Sequence, residues 1–92
     1  MSIDQLTENL DTLIFNLQKR NVCVVFAHTG STMGIQVSKR LKDGSRIRVD
    51  ACFLFMGFTL EKIICRECWY IRRAAHAIDL LSVAAESRCK GK

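Results

Sequence analysis

Apolar residues recur along this chain with two different periods, and the changes of period mark its elements. Ile3, Leu6, Leu10, Leu13, Ile14 and Leu17 fall three or four residues apart, the spacing of one apolar face on an α-helix. Ser2 and Gln5 have capping-box spacing, Asp4 adds favourable charge to the first turn, and Lys19, Arg20 and Asn21 suit the C-terminal end. The outer face of this helix carries Asp4, Glu8 and Asp11, a poor surface for phosphate. Val22 to Ala27 is continuously apolar and rich in β-branched residues, which predicts a strand covered on both faces. A polar turn with two glycines follows over residues 28–34. Ile35, Val37 and Lys39 then alternate with Gln36, Ser38 and Arg40, the pattern of a half-buried strand. Past a second turn at Lys42-Asp43-Gly44-Ser45, Ile47, Val49, Ala51, Phe53 and Phe55 share one face, and Arg46, Arg48 and Asp50 share the other.

Gly57 breaks that run, and Thr59 is placed to cap a helix that extends to about Arg88. Leu60, Ile64, Cys68, Ile71, Ala75, Ile78, Ser82 and Ala85 give it an apolar face. At 1.5 Å per residue it runs over about 40 Å, longer than a domain of this size needs, so it is expected to bend or project. The basic tail, residues 88–92, is expected to fray. The prediction is an α+β fold: an N-terminal helix, a three-stranded antiparallel meander and a long C-terminal helix, with both helices on one sheet face. Without a repeat, a low-complexity stretch or a linker, residues 1–92 read as a single domain.

The side of the last helix opposite its apolar face changes the picture. Lys62, Arg66, Trp69, Arg73 and His76 fall at offsets 0, 4, 7, 11 and 14, within about 40° of one line at 100° per residue. Ammonium and guanidinium groups neutralise phosphates, and an indole offers a flat surface to a base, so the stripe points to nucleic acid. The plainer alternative is a solvated face with one partly buried Trp. A second basic cluster surrounds the Asp-Gly turn: Lys39, Arg40, Lys42, Arg46 and Arg48, with Asp43 as the opposing charge. Arg46 and Arg48 share a strand face, and Arg40 lies across from them if the register permits. With Gln36 and Ser38 as neutral donors, that surface suits a phosphate backbone. Alternatively, these charges keep sheet edges from pairing with other chains.

Composition agrees with an anionic partner: 14 Lys and Arg against 9 Asp and Glu give a formal charge of +5 in 92 residues. No charge-poor apolar run reaches membrane-spanning length and the start lacks signal-peptide character, so a soluble cytoplasmic protein is expected. The 5 cysteines are an odd number, more consistent with reduced thiols than with a disulfide framework. Cys23 and Cys52 are expected in the core. Cys65 and Cys68 form a C-x-x-C pair, but His28, His76 and Cys89 do not complete a zinc site at matching spacing, and the pair lies inside a helix rather than opening one. The Gly30-to-Gly34 spacing lacks the lysine and following helix of a phosphate loop. His28, Thr29 and Ser31 have no identifiable acidic partner for nucleophilic catalysis. No metal, no cofactor and no enzyme activity is expected. Neither basic patch carries a known nucleic-acid motif: Phe53 and Phe55 are assigned to the core rather than to an RNA-stacking sheet, and no helix-turn-helix or zinc finger is present.

The whole chain, notably Val22-Cys23-Val24-Val25-Phe26-Ala27-His28-Thr29-Gly30-Ser31-Thr32-Met33-Gly34 and Cys65-Arg66-Glu67-Cys68-Trp69-Tyr70-Ile71-Arg72-Arg73, resembles the phage-encoded anti-CRISPR proteins that act on type I-F surveillance complexes. These proteins share no common fold or motif, so no site residue carries over by position. The resemblance implies a non-enzymatic inhibitor, acting in the bacterial host cytoplasm, that docks on a Cas protein–guide RNA assembly and blocks target DNA hybridisation or recruitment. Many such proteins are acidic DNA mimics, a mechanism that the +5 charge argues against. Two other readings stand beside it: a dimeric DNA-binding regulator, and a protein-interaction module anchored by exposed Trp69 and Tyr70.

Overall fold

The computed structural model describes residues 2–90, without the side chains of residues 89 and 90. The order is α1 (Ile3–Gln18), β1 (Val22–Thr29), β2 (Thr32–Arg40), β3 (Arg46–Leu54) and α2 (Leu60–Lys90), the predicted α+β arrangement. At the start of α1 the Gln5 backbone N–H donates to Ser2 Oγ at 3.2 Å, so the predicted cap forms. Asn21, with φ 64°, takes the left-handed conformation that Asn tolerates and turns the chain into β1.

The strands form one antiparallel sheet in the order β1-β2-β3. Thr29 pairs with Thr32, so the first turn is the two residues Gly30 and Ser31 rather than the whole 28–34 stretch. Gly30, at φ 58°, occupies the first central position of a tight hairpin turn, where a positive φ is required. Residues 41–45 make the second turn between paired Arg40 and Arg46. Asp43 Oδ1 accepts from the Ser45 backbone N–H and hydroxyl, at 2.9 and 2.6 Å. These bonds lower the Asp43 carboxyl below its ordinary value.

Strand parity places Val22, Val24, Ile35, Val37, Ile47, Val49 and Phe53 on the helix side of the sheet, where they form the core with Leu10, Leu17, Ile64, Ile71 and Ile78. Among the elements, α2 packs on β2 and β3, whereas α1 packs on β1 and α2. Arg20, just past α1, donates two hydrogen bonds to the Asp79 carboxylate of α2, at 2.6 and 2.7 Å. This pair ties the end of α1 to α2.

Two expectations fail for one reason. β1 is an edge strand, and among the described residues no helix covers the opposite sheet face. Cys23, Val25 and Ala27 are therefore exposed, so β1 is not covered on both faces, and Cys23 and Cys52 are not core residues. Apolar character alone does not distinguish a sandwiched strand from an unprotected edge.

The long helix dominates the shape, with principal extents of 51 × 25 × 16 Å and a radius of gyration of 14.9 Å. A compact chain of this length would have a radius near 12 Å. The last turns of α2 beyond Asp79 expose Leu80, Leu81 and Val83 while keeping Ser82 buried. Two polar groups sit awkwardly in the helix interior face. Glu67 is buried, and burial raises its carboxyl above the ordinary value; Ser82 Oγ has no hydrogen-bond partner among the described residues. Residues 88–90 of the tail expected to fray continue α2, past the expected end near Arg88, and residues 91 and 92 lie outside the described residues.

Candidate functional site

Thr59 Oγ1 accepts from the Lys62 backbone N–H at 3.3 Å, capping α2 and fixing the phase of everything after it. With Ile64, Cys68, Ile71, Ala75 and Ile78 turned into the core, helical geometry leaves Lys62, Arg66, Trp69, Arg73 and His76 on the solvent side, and all five are exposed. The predicted stripe is therefore continuous along α2.

The stripe rests on aromatic rings. Lys62 Nζ lies 4.5 Å from the centroid of the Phe58 ring, and the Arg66 guanidinium lies 5.9 Å from the same ring. The Arg73 guanidinium is 4.7 Å from the Trp69 centroid. Beneath these cations the rings form a connected row: Phe58 stacks with Phe53 at 6.3 Å, Phe53 with Tyr70 at 5.5 Å, and Tyr70 meets Trp69 edge to face at 4.9 Å. Phe53 and Tyr70 also pack on the core, so the row anchors the stripe to the fold. A cation over a ring keeps its N–H donors free for an outside acceptor while losing part of its conformational freedom. Among the described residues no cation of the stripe is in an ion pair; the ion pairs present are Arg20–Asp79 and Arg48–Asp50. Trp69 remains 48% exposed and borders a shallow depression with Lys62, Cys65 and Arg66. A second depression is lined by Arg72, Arg73, His76, Ala77 and Leu80.

The structure places Arg40, Arg46 and Arg48 elsewhere. They lie on the sheet face turned away from the helices, so the two basic surfaces do not form one grip. Arg40 and Arg46 oppose each other directly in the β2–β3 register, as like charges. Arg46 Nη1 donates to Ser38 Oγ at 3.1 Å, and Arg48 pairs with Asp50 at 3.0 Å. Asp50, not only Asp43, thus opposes this cluster, and Ser38 is buried rather than offered as a free donor.

Tyr70 is half-buried against Phe53, which leaves Trp69 as the exposed ring of that pair. His28 stacks on Phe55 at 5.7 Å. Cys65 is exposed, whereas burial raises the thiol of Cys68 above its ordinary value. Sequence reasoning missed Phe58 and Arg72. Phe58 precedes the Thr59 cap and lies outside α2, so no helical spacing flags it; the turn after Gly57 brings its ring to Lys62 and Arg66. Arg72 lies off the line of the stripe but borders the same depression as Arg73 and His76. Among the described residues no helix is long and apolar enough to cross a membrane. Comparison of the chain with protein-family models, curated proteins and solved structures finds no match in any of the three.

Proposed function

We propose that this chain is a non-catalytic binding protein that grips the RNA phosphates of a nucleoprotein complex through the α2 stripe. The observation that carries the proposal is the set of unpaired cations, Lys62, Arg66 and Arg73, held over aromatic rings beside an exposed indole. Cations so placed neutralise phosphates, and Trp69 supplies a stacking surface that every base can use. The resemblance of the sequence to anti-CRISPR proteins narrows the partner to a Cas protein–guide RNA surveillance complex in the bacterial cytoplasm. Occupying exposed guide RNA there would block target DNA hybridisation or recruitment. Arg40, Arg46 and Arg48 lie on the other sheet face, so any contact they make with the assembly is separate from that of the stripe.

A second reading draws on one observation. The stripe is continued along α2 by exposed Leu80, with Leu81 and Val83 nearby, an apolar extension suited to a protein surface. In that reading Trp69 anchors a protein partner and the cations form the rim.

A pull-down from bacterial lysate with tagged protein, repeated after nuclease treatment and at raised salt, separates these readings. The proposal predicts recovery of a Cas protein–guide RNA assembly, with loss at high salt. Recovery of one protein irrespective of nuclease and salt would replace it with the interaction module, and recovery of duplex DNA alone with a DNA-binding regulator.

A further inference from the structure

The two edges of the sheet are built differently. β3 presents Arg46, Arg48 and Asp50 along its length, charges that obstruct pairing with another chain. β1, Val22-Cys23-Val24-Val25-Phe26-Ala27-His28-Thr29, carries no Lys, Arg, Asp or Glu and no proline over 8 residues. Its pairing with β2 is unbroken from Val22 to Thr29, so no bulge twists it away. Val25 is 52% and Phe26 38% exposed, one on each face of the strand. Among the described residues no strand lies beyond β1. A long, uncharged edge of this kind is a template for another strand.

The turn fixes which backbone groups are available. Thr29 and Thr32 flank a two-residue turn, so they bond to each other, and alternation assigns Ala27, Val25 and Cys23 to bonds with β2. The N–H and C=O groups of Val24, Phe26 and His28 therefore point outward, whereas Val22, of the same parity, is fully buried.

We propose that β1 pairs antiparallel with β1 of a second copy of this chain, about a two-fold axis beside Val25. Val24 then lies opposite Phe26 of the other copy, so these two outward residues of each copy bond, and the ladder stops short of Val22, which is fully buried. On the open face the two Val25 side chains meet at the axis, and Cys23 meets Ala27. The absence of charge on β1 makes the edge compatible with itself: no like charges are brought together. Pairing uses the unprotected edge of both copies and leaves the charged β3 edges outermost, so assembly closes at two. Because the axis is perpendicular to the sheet, both α2 helices lie on the same side of one six-stranded sheet. The pairing stands independently of what the stripe binds.

Sedimentation of the full chain from low to high micromolar concentration tests the pairing, together with amide hydrogen exchange. The expected result is a dimer of the 10.5 kDa chain with the amides of Val24 and Phe26 protected. Val25→Lys, which sets two ammonium groups against each other at the axis, gives a folded monomer, whereas Leu54→Lys on β3 leaves the dimer intact. A wild-type monomer throughout, a dimer that survives Val25→Lys, or fast exchange at Val24 and Phe26 in the wild-type protein would overturn the proposal. The exchange measurement decides the matter even if Val25→Lys does not fold.

Discussion

The guanidinium of Arg73 lies 4.7 Å from the centroid of the Trp69 ring, one helical turn earlier on α2. This contact covers part of the indole and orders the arginine while leaving the ring 48% exposed. Trp69 is the sole tryptophan of the chain, so its fluorescence reports on the stripe alone. Trp69→Ala is expected to weaken binding of single-stranded RNA by about 1–3 kcal/mol, the usual worth of a base–aromatic stack. In the wild-type protein, bound RNA should quench the indole emission. Unchanged emission at saturation would remove Trp69 from the interface.

The core makes a contrasting prediction. Ile71 is fully buried, at 0% exposure, between α2 and the sheet. Ile71→Ala should cost about 2–5 kcal/mol, a large fraction of the stability of a domain of this size. Urea denaturation of this variant beside Trp69→Ala separates a fold residue from a surface one: the midpoint falls steeply for the first and little for the second.

The Arg20–Asp79 pair joins residues 59 apart in sequence, with two short hydrogen bonds, yet both side chains are about half exposed. Solvent screening limits such a pair to about 0.2–1 kcal/mol. A double-mutant cycle with Arg20→Ala and Asp79→Ala should return a coupling in that range. A value several times larger would mean that the pair governs the docking of α1.

Glu67 sets a pH dependence. Burial raises its carboxyl above the ordinary 4.5, so the folded state holds the proton more tightly than the unfolded chain. Its contribution to stability is fully present below pH 4.5 and is lost as pH rises through the folded value. Glu67→Gln should therefore raise Tm relative to wild type at pH 7, and the gain should vanish toward pH 4. Asp43, lowered by its bonds to Ser45, acts with opposite sign and destabilises the fold as pH falls below its ordinary 3.8. Thermal melts of the wild-type and Glu67→Gln proteins from pH 4 to 7 check the first sign, and melts of the wild-type and Asp43→Asn proteins below pH 4 check the second.

Ser82 offers a gain rather than a loss. Its hydroxyl is buried in α2 without a partner among the described residues, and alanine is the better helix former. Ser82→Ala should stabilise the protein by about 1 kcal/mol, read as a rise in Tm.

Periodicity made most of this architecture legible. The spacing from Leu60 to Ser82 sets which side of α2 is buried, and the stripe follows from it by geometry. Ser2 and Thr59 cap the helices as their side chains predict. What the sequence did not reveal depends on which elements are neighbours. Val22 to Ala27 has the composition of a central strand, yet the order of the sheet leaves it at an edge. Arg46 and Arg48 share a face as alternation requires, but only the register and side-chain positions show that Asp50 neutralises one and Ser38 engages the other. Tyr70, adjacent to exposed Trp69, turns inward because one residue along a helix is a rotation of about 100°.

The salt dependence of binding tests the central claim most directly. Affinity for a Cas protein–guide RNA assembly, followed through Trp69 emission from about 50 to 200 mM salt, should fall linearly on a log–log plot. Replacing Arg66 and Arg73 with alanine should weaken binding and reduce the magnitude of that slope by about 1–2. Equal affinity and slope for the variant and the wild-type protein would contradict the assignment of the α2 stripe to phosphate contact.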